Sequence, residues 1–157
     1  MGSDSDLKIM QQAEAVLHEL GVETEMDVMS AHRTPERVLD YARGAYERGV
    51  AVIIAGAGGA AHLAGFVAAV SAMPVIAVPI KSSNSIDGWD SILSMLQMPS
   101  GVPVATVALD GARNAGILAA QILSVADPQL HQRLVDFKEA MKEKVYAASA
   151  RVREQAK

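Results

Sequence analysis

Residues 50 to 59 read VAVIIAGAGG, a run of apolar residues that ends in a turn rich in glycine. An uninterrupted stretch of Val, Ile and Ala is typical of a strand that is buried on both faces, as strands are in parallel sheets. Glycines directly after such a strand let the chain turn sharply into a helix. The stretch therefore predicts an α/β fold built around a covered sheet.

The residues ahead of this run predict a helix and, before the helix, a short strand. Apolar residues recur at helical spacing after Pro35, and Thr34 stands where an N-cap is expected, with Pro35 at the first helical position. Met26 and Val28 alternate with acidic residues, a pattern typical of a strand. Together with residues 50–59, these segments form one β-α-β unit.

Helix and strand patterns continue to alternate along the rest of the chain. This alternation indicates a mostly parallel sheet with right-handed crossovers and helices on both faces, and ligands of such folds bind at the carboxyl ends of the strands. Residues 1–157 are expected to form a single domain. The further elements predicted are helices at 7–20, about 60–72 and about 89–97, two closing helices of which the last begins at 128, and strands at 74–78 and about 102–109.

The composition excludes several classes of protein. Half of the residues are hydrophobic and only 4% are aromatic, so the core is expected to be aliphatic. A net charge of −4 offers no basic surface, so neither nucleic acid nor an anionic membrane is expected as a partner. The chain has no cysteine, which excludes disulfides and thiolate metal sites. No export or membrane-spanning segment is recognisable, so the expected location is the cytoplasm.

A histidine and an arginine lie together in SAHRTP, residues 30–35, where a strand is expected to end and a helix to begin. Imidazole exchanges protons near neutral pH, and a guanidinium can bind a phosphate through two hydrogen bonds. His32 and Arg33 are therefore candidates for a functional site. The alternative is a solvated turn in which the two residues have no role.

The turn AGAGGAAHLAG, residues 55–65, fits the loose dinucleotide pattern G-x-G-x-x-A at Gly56, Gly58 and Ala61. The acidic residue that should end the next strand is absent from VIAVPIKSS, so a nicotinamide or flavin dinucleotide is not expected. The glycines can bring a ligand close to the backbone or merely permit close packing. His62 can likewise be a site residue or a structural one.

The segment GSDSD, residues 2–6, places Ser3, Ser5 and Asp6 at the amino end of a helix. Capping is the commonest role of such residues, and the alternative is contact with a phosphate and with sugar hydroxyls. The polar loop KSSNSIDGWDS, residues 81–91, is either a cover over the site or a surface excursion. The sequence contains no nucleophile elbow and no metal-binding motif.

Four motifs, MGSDSD, SAHRTP, AGAGGAAHL and SILSMLQMPSGVPVATVAL, together resemble the bacterial 5-(carboxyamino)imidazole ribonucleotide mutases over nearly the whole chain and in the same order. The resemblance implies an isomerase of purine biosynthesis that moves a carboxylate from an exocyclic nitrogen to ring carbon 4, without metal or cofactor. It implies that His32 is the general acid and base: protonation of the carbamate releases carbon dioxide, the ring carbon attacks it, and the histidine removes the ring proton. A closed, largely water-excluding pocket would retain the carbon dioxide.

The resemblance also implies which residues bind the ribonucleotide substrate. Arg33 and Ser3 would lie near its phosphate and Asp6 near its ribose. The other residues implied to line the site are Ser5, Ser30, Gly58 and His62.

The fold implied by the resemblance is a flavodoxin-like three-layer α/β/α sandwich, and the assembly implied is a homo-octamer. The C-terminal helix, about residues 128–155, is expected to take part in oligomer contacts. The family pattern normally has a strand directly before MGSxSD, so either the start of the sequence is truncated or the sheet lacks its first central strand. Ala64 stands where the family usually has proline.

Two other functions stay open. A related branch of the family carboxylates aminoimidazole ribonucleotide directly with carbon dioxide, but its loop typically reads SAHKGP, so SAHRTP favours the mutase. The other alternative is a non-catalytic nucleotide-binding module on the same scaffold, because a fold does not fix a function.

Overall fold

The computed structural model describes residues 1–155 and places a parallel sheet between two layers of helices. The strands β1 (Ile53–Gly58), β2 (Val75–Ile80) and β3 (Ala105–Thr106) lie side by side in that order, and both pairings are parallel. The helices are α1 (Leu7–Glu19), α2 (Pro35–Arg43), α3 (Leu63–Val70), α4 (Trp89–Leu96), α5 (Ala112–Ser124) and α6 (Pro128–Gln155).

The sheet is covered on both faces by aliphatic side chains. One core cluster joins α1, α5 and the first turns of α6 to one face, and the other joins α2, α3 and Met95 of α4 to the opposite face. The central strand β2 is buried along its whole length. The parallel sheet and the α/β class predicted from residues 50–59 are confirmed.

The strand predicted at 26–28 is not formed. Residues 22–27 do alternate between half-buried and exposed side chains, as the sequence pattern indicated. Backbone pairing is confined to Met1, whose ammonium donates to the Asp27 carbonyl at 2.8 Å and whose carbonyl accepts from the Met29 amide at 2.8 Å. A strand requires a partner along its length, and this segment has only one residue beside it.

Two other boundaries differ from the prediction because of local backbone conformation. Helix α3 begins at Leu63 rather than near residue 60, since Gly59 and Ala61 adopt positive φ angles of 62° and 48°, which a right-handed helix does not allow. The strand predicted at 102–109 is reduced to β3, an edge strand that pairs only with β2.

Within residues 1–155, no strand precedes α1, and β1 forms one edge of the described sheet. Gly2 approaches this edge, and its amide donates to the Gly56 carbonyl at 3.0 Å. Helix α1 packs directly on β1, because a side chain at Gly56 would collide with Met10. This contact positions the start of α1 at the carboxyl end of β1.

Helix α6 leaves the body of the protein after its first turns. Leu130 and Leu134 are buried in the core, whereas residues 138–155 are exposed apart from two partly covered positions. The free part of α6 is therefore about 27 Å long, at 1.5 Å per residue. None of the helices described here is both long enough and apolar enough to span a membrane.

Candidate active site

Three loops meet at the carboxyl end of β1, the edge where ligands bind in parallel α/β folds. The Gly2 amide donates to the Gly56 carbonyl of β1, and the Met29 amide donates to the Met1 carbonyl. The loops that follow Gly2, Met29 and Gly56 therefore lie next to one another. They carry the site residues predicted from the sequence, which are Ser3, Ser5, Asp6, Ser30, His32, Arg33, Gly58 and His62.

The first loop is a capping box at the start of a short 3-10 helix, Asp4–Asp6. The Ser3 amide donates to Asp6 Oδ2 at 3.2 Å, and the Ser5 amide donates to Ser3 Oγ at 3.3 Å. Ser5 Oγ lies 3.0 Å from Ser3 Oγ and 3.3 Å from Asp6 Oδ1, and either oxygen can accept its one hydrogen. The capping role considered for these residues is thus confirmed, and Ser5 is exposed whereas Ser3 is half-buried.

Asp6 is the buried acid of this loop, with only 4% of its surface exposed. Burial raises the pKa of its carboxyl above the usual value, although hydrogen bonds from Ser5 and Ser3 and the nearby Met1 ammonium favour the charged form. The carboxylate already accepts two hydrogen bonds within the loop. These bonds fix the orientation of the carboxylate within the loop.

The second loop, SAHRTP, is a tight turn held by Ser30 and Thr34. The Thr34 amide donates to the Ser30 carbonyl at 2.8 Å, and the Ser30 amide donates to Thr34 Oγ1 at 3.1 Å. Thr34 is the N-cap residue of α2 as predicted, but its hydroxyl bonds Ser30 instead of capping the helix. The buried Ala31 anchors the turn, so the side chains of His32 and Arg33 are directed outward.

The Arg33 side chain is held loosely and its charge is not neutralised. Its Nε donates to Ser30 Oγ at 3.4 Å, and its backbone amide donates to the same oxygen at 3.3 Å. Among residues 1–155, no carboxylate lies within ion-pairing distance of this guanidinium. Arg33 can therefore bind an anion without first breaking an ion pair.

The two predicted site histidines are in direct contact. His32 Nε2 lies 2.8 Å from His62 Nδ1, and the ring planes are nearly perpendicular at 87° with centroids 4.9 Å apart. One ring must donate and the other must accept, because two N–H groups cannot share one short contact. The contact joins residues 30 positions apart in the chain, and it links the SAHRTP loop to the glycine turn.

The third loop is the glycine turn, and at Gly58 its backbone leaves no room for a side chain. A Cβ atom at Gly58 would lie 2.6 Å from Ser82 and 2.8 Å from the Ile80 carbonyl. Real Cβ atoms essentially never come this close to another heavy atom. The glycine is thus required by the close approach of the loop after β2, in agreement with the packing interpretation considered from the sequence.

The loop after β2 contributes residues that the sequence pattern did not single out. Ser85 Oγ accepts hydrogen bonds from the Gly59 amide at 3.4 Å and from the Ser82 amide at 3.1 Å. Ser82 Oγ also donates to Asn84 Oδ1 at 2.6 Å. Residues 82–85 therefore pack against the glycine turn, whereas Ile86 and Trp89 of the same segment are 75% and 61% exposed. The polar composition of this loop was the feature of the sequence that could have pointed to Ser82 and Ser85.

The site is an open surface in a single copy of the chain. His32 and Arg33 are exposed, and the closed pocket implied by the resemblance is not formed around them by residues 1–155. A cavity of about 500 Å³ lies elsewhere, beside the free edge of β1, and none of the predicted site residues lines it. In the described part of the chain, no three His, Asp or Glu side chains are grouped so as to hold a metal ion.

Comparison with known proteins shows which family this sequence is similar to. The model of a family described as AIR carboxylase matches residues 1–144. The N5-carboxyaminoimidazole ribonucleotide mutase of Thermotoga maritima is 53% identical over 152 residues, covering 97% of this chain and 88% of that protein. The mutase of the same name from Pyrococcus abyssi is 58% identical over 142 residues, covering 90% of this chain and 81% of that protein.

A plant protein and a solved structure extend the comparison. The chloroplastic phosphoribosylaminoimidazole carboxylase of Vigna aconitifolia is 53% identical over 145 residues, which cover 92% of this chain but 26% of that protein. The crystal structure of Treponema denticola PurE superimposes with a TM-score of 0.82 at 29% identity, covering 96% of this chain and 94% of that chain. The resemblance carried by the four motifs is confirmed. This chain belongs to the AIR carboxylase family.

Proposed function

We propose that this chain is an N5-carboxyaminoimidazole ribonucleotide mutase, an isomerase of purine biosynthesis. Relatives that carry this name match 90% or more of the chain at 53% and 58% identity. The observation that carries the chemistry is the 2.8 Å contact between His32 and His62 at the carboxyl end of β1. It places a proton donor and a proton acceptor side by side, where the fold binds its ligands.

In the proposed reaction, His32 gives and then regains one proton. Protonation of the carbamate nitrogen breaks the bond between nitrogen and the carboxylate carbon, and carbon dioxide leaves with the exocyclic amine restored. Ring carbon 4 attacks the carbon dioxide, and the new bond between carbon atoms leaves this ring carbon with one hydrogen too many. His32 removes that hydrogen as a proton, which restores the aromatic ring. The perpendicular His62 ring supports this role because it fixes the position of the His32 ring.

The ribonucleotide is proposed to bind across the three loops. The unpaired Arg33 guanidinium and the Ser3 hydroxyl would hold the phosphate, and the buried Asp6 carboxylate would accept hydrogen bonds from the ribose hydroxyls. The exposure of Arg33 and the fixed orientation of Asp6 support this assignment. The remaining residues proposed to line the site are Ser5, Ser30, Gly58 and His62.

A direct carboxylase is the second candidate, because the family is described as AIR carboxylase and the plant relative is named a carboxylase. Isotopic labelling separates the two activities. Incubated with N5-carboxyaminoimidazole ribonucleotide and ¹³C-bicarbonate, the mutase is expected to form an unlabelled C-carboxylated product, since the carboxylate never leaves the site. Mass spectrometry of the product, with an enzyme-free control, measures the label.

The result that contradicts the mutase is efficient turnover of aminoimidazole ribonucleotide with labelled bicarbonate, with the label recovered in the product. Failure of both substrates to react, together with binding of either one, would favour the non-catalytic module. The label in the product, the substrate that reacts and the binding measurement together distinguish the three functions considered from the sequence.

We also propose a homo-octamer, in which α6 contacts neighbouring copies. Met141, Val145 and Val152 are 44%, 66% and 66% exposed and share one face of the free part of α6. An apolar stripe on a helix that protrudes from the body is typical of an interface. A second copy would also cover the open site and so help to retain carbon dioxide.

Val145→Glu is expected to convert the octamer to smaller species, because burying an unpaired carboxylate in an interface is costly. Sedimentation equilibrium of the wild type and the variant measures the assembly mass. Gln11→Glu, which adds the same charge at an exposed position of α1, is the matched control. A monomeric wild type, or a Val145→Glu octamer as stable as the wild type, would contradict the proposal.

The proposed enzyme acts on a small-molecule ribonucleotide and binds neither nucleic acid nor membranes. Its proposed location is the cytoplasm, where purine ribonucleotides are made. Recovery of the chain in the membrane fraction of lysed cells would contradict this location.

A further inference from the structure

We propose that Ser94 of α4 is a positioning residue that acts on the site through His62. Its hydroxyl holds the peptide unit between Ala60 and Ala61. This peptide unit in turn places the His62 ring against the His32 ring. The effect on turnover rests on the proposed mutase function, whereas the effect on the contact between the two rings rests on the geometry alone.

The hydrogen bond made by Ser94 joins α4 to the glycine turn. Ser94 Oγ donates to the Ala60 carbonyl at 2.7 Å, and the two residues are 34 positions apart in the chain. A serine inside a helix commonly turns to solvent or bonds a carbonyl of its own helix one turn earlier. The half-buried Ser94 instead directs its only hydrogen to another element. The bond is therefore a tertiary contact with one side of the site.

The peptide unit between Ala60 and Ala61 is held at both of its polar groups. Its carbonyl accepts from Ser94, and its N–H, the Ala61 amide, donates to the Gly58 carbonyl at 3.2 Å. A peptide unit is planar, so two bonds on its opposite sides fix its rotation. Without the Ser94 hydroxyl, only the longer of these two bonds would remain.

The conformation of Ala61 is unfavourable unless this peptide unit is held. Ala61 is buried, and its φ of 48° lies in the left-handed region, which a residue with a side chain rarely adopts. Rotation of the preceding peptide unit by about half a turn would bring φ to a negative value. The same rotation would direct the Ala60 carbonyl away from Ser94. The hydroxyl of Ser94 therefore opposes relaxation of the turn.

His62 follows this turn directly and takes its position from it. His62 is the N-cap residue of α3, its carbonyl accepts from the Phe66 amide at 3.0 Å, and its side chain makes no capping hydrogen bond. The backbone on either side of His62 thus sets where its ring lies, 2.8 Å from His32. A displaced backbone at residues 60–61 would move the His62 ring, and the His32 ring would lose this hydrogen bond.

Helix α4 can hold the turn because it is itself anchored to the sheet. Ser91 is fully buried, and its Oγ donates to the Ile80 carbonyl at the end of β2 at 3.2 Å. The Met95 carbonyl accepts from Thr106 Oγ1 of β3 at 3.1 Å. Ser94 lies between these two anchors, so its hydroxyl is presented from a rigid element.

The first test compares Ser94→Ala with Thr106→Val. Each removes one hydrogen bond between a hydroxyl and a backbone carbonyl at α4, and only the bond of Ser94 reaches the glycine turn. Both variants are expected to lose a similar few degrees in Tm. Ser94→Ala should also lower the turnover number by about 10- to 100-fold, because a small displacement of a catalytic group slows the reaction steeply. Thr106→Val should leave the turnover number unchanged.

Two further measurements separate positioning from stability. KM of Ser94→Ala should stay within about 3-fold of the wild type, since Arg33, Ser3 and Asp6 lie on other loops. Ser94→Thr keeps the hydroxyl and is expected to restore most of the turnover that Ser94→Ala loses. Steady-state kinetics and thermal unfolding of the wild type and the three variants measure these quantities.

The second test is independent of turnover. Crystal structures of the wild type and Ser94→Ala give the distance between His32 Nε2 and His62 Nδ1. This distance is expected to lengthen from 2.8 Å to beyond hydrogen-bond distance in the variant, with the Ala60 carbonyl turned away from α4. A wild type without mutase activity would contradict the proposed function, and the distance between the rings would still decide the role of Ser94.

Three results would overturn the role of Ser94. The first is a ring contact that stays at 2.8 Å in Ser94→Ala. The second is an active wild type whose turnover Ser94→Ala equals. The third is a loss of turnover in Thr106→Val as large as that in Ser94→Ala, because turnover would then follow the stability of α4 and not the bond to the glycine turn.

Discussion

His32→Asn is expected to lower the turnover number of the mutase by about 10²- to 10⁴-fold, the usual contribution of a general acid-base group. Asparagine keeps a polar side chain of similar reach at the tip of the SAHRTP turn, but its amide cannot give and regain a proton. Binding of the C-carboxylated product should remain detectable, because Arg33, Ser3 and Asp6 are unchanged. Steady-state kinetics and isothermal titration calorimetry measure the two quantities separately.

His18→Asn is the matched control for this variant. His18 is exposed on α1 and contacts Thr24 at 2.9 Å, away from the loops of the site. This control should leave both turnover and binding unchanged. Undiminished turnover of His32→Asn would show that another group moves the proton, and loss of product binding in that variant would show that the imidazole mainly holds the ligand.

Arg33→Ala is expected to weaken ribonucleotide binding by roughly 10- to 150-fold, since hydrogen bonds to a charged group contribute about 1.5–3 kcal/mol. The guanidinium makes no ion pair among residues 1–155, so its removal leaves no buried charge behind. The effect should therefore appear in KM more than in stability. Product titration and thermal unfolding of the variant measure the two contributions.

Arg33→Lys is the conservative variant for this experiment, and Arg43→Ala is the control. Lysine keeps the charge but lacks the planar pair of donors, so affinity should be intermediate. Arg43 is exposed at the end of α2 and lies 4.0 Å from Asp40, so its removal should leave affinity unchanged. Equal affinity of wild type and Arg33→Ala would exclude a phosphate contact by Arg33.

The sequence predicted the parts of the fold in which a local pattern and the tertiary structure agree. Within VAVIIAGAGG, residues Ile53–Gly58 form β1 and are buried or half-buried, as suits a covered parallel strand, and β1 ends in the expected turn. The segment at 26–28 shows the limit of this reasoning. Its alternation predicted a strand, which is not formed, because pairing depends on a neighbour that no local pattern can supply.

The sequence could indicate which residues belong to the candidate site. It could not indicate how these residues contact one another. Both His32 and His62 could be singled out, because each follows a strand-like segment and begins a helix. Their contact spans 30 residues and depends on how α2 and α3 pack, which spacing along the chain does not encode. The packing of Ser82 and Ser85 against the glycine turn depends likewise on the parallel register of β1 and β2.

The paired imidazoles have a consequence for the supply of hydrogen ions. Since one ring donates to the other, a proton taken up by His32 in the proposed reaction would decide which nitrogen of His62 is bare. An isomerisation returns every hydrogen that it borrows, so both tautomers would be restored when product forms, with no net release of protons. Direct carboxylation would instead leave an extra hydrogen ion on the rings at each turnover, and solvent would have to carry it away before the next substrate reacts.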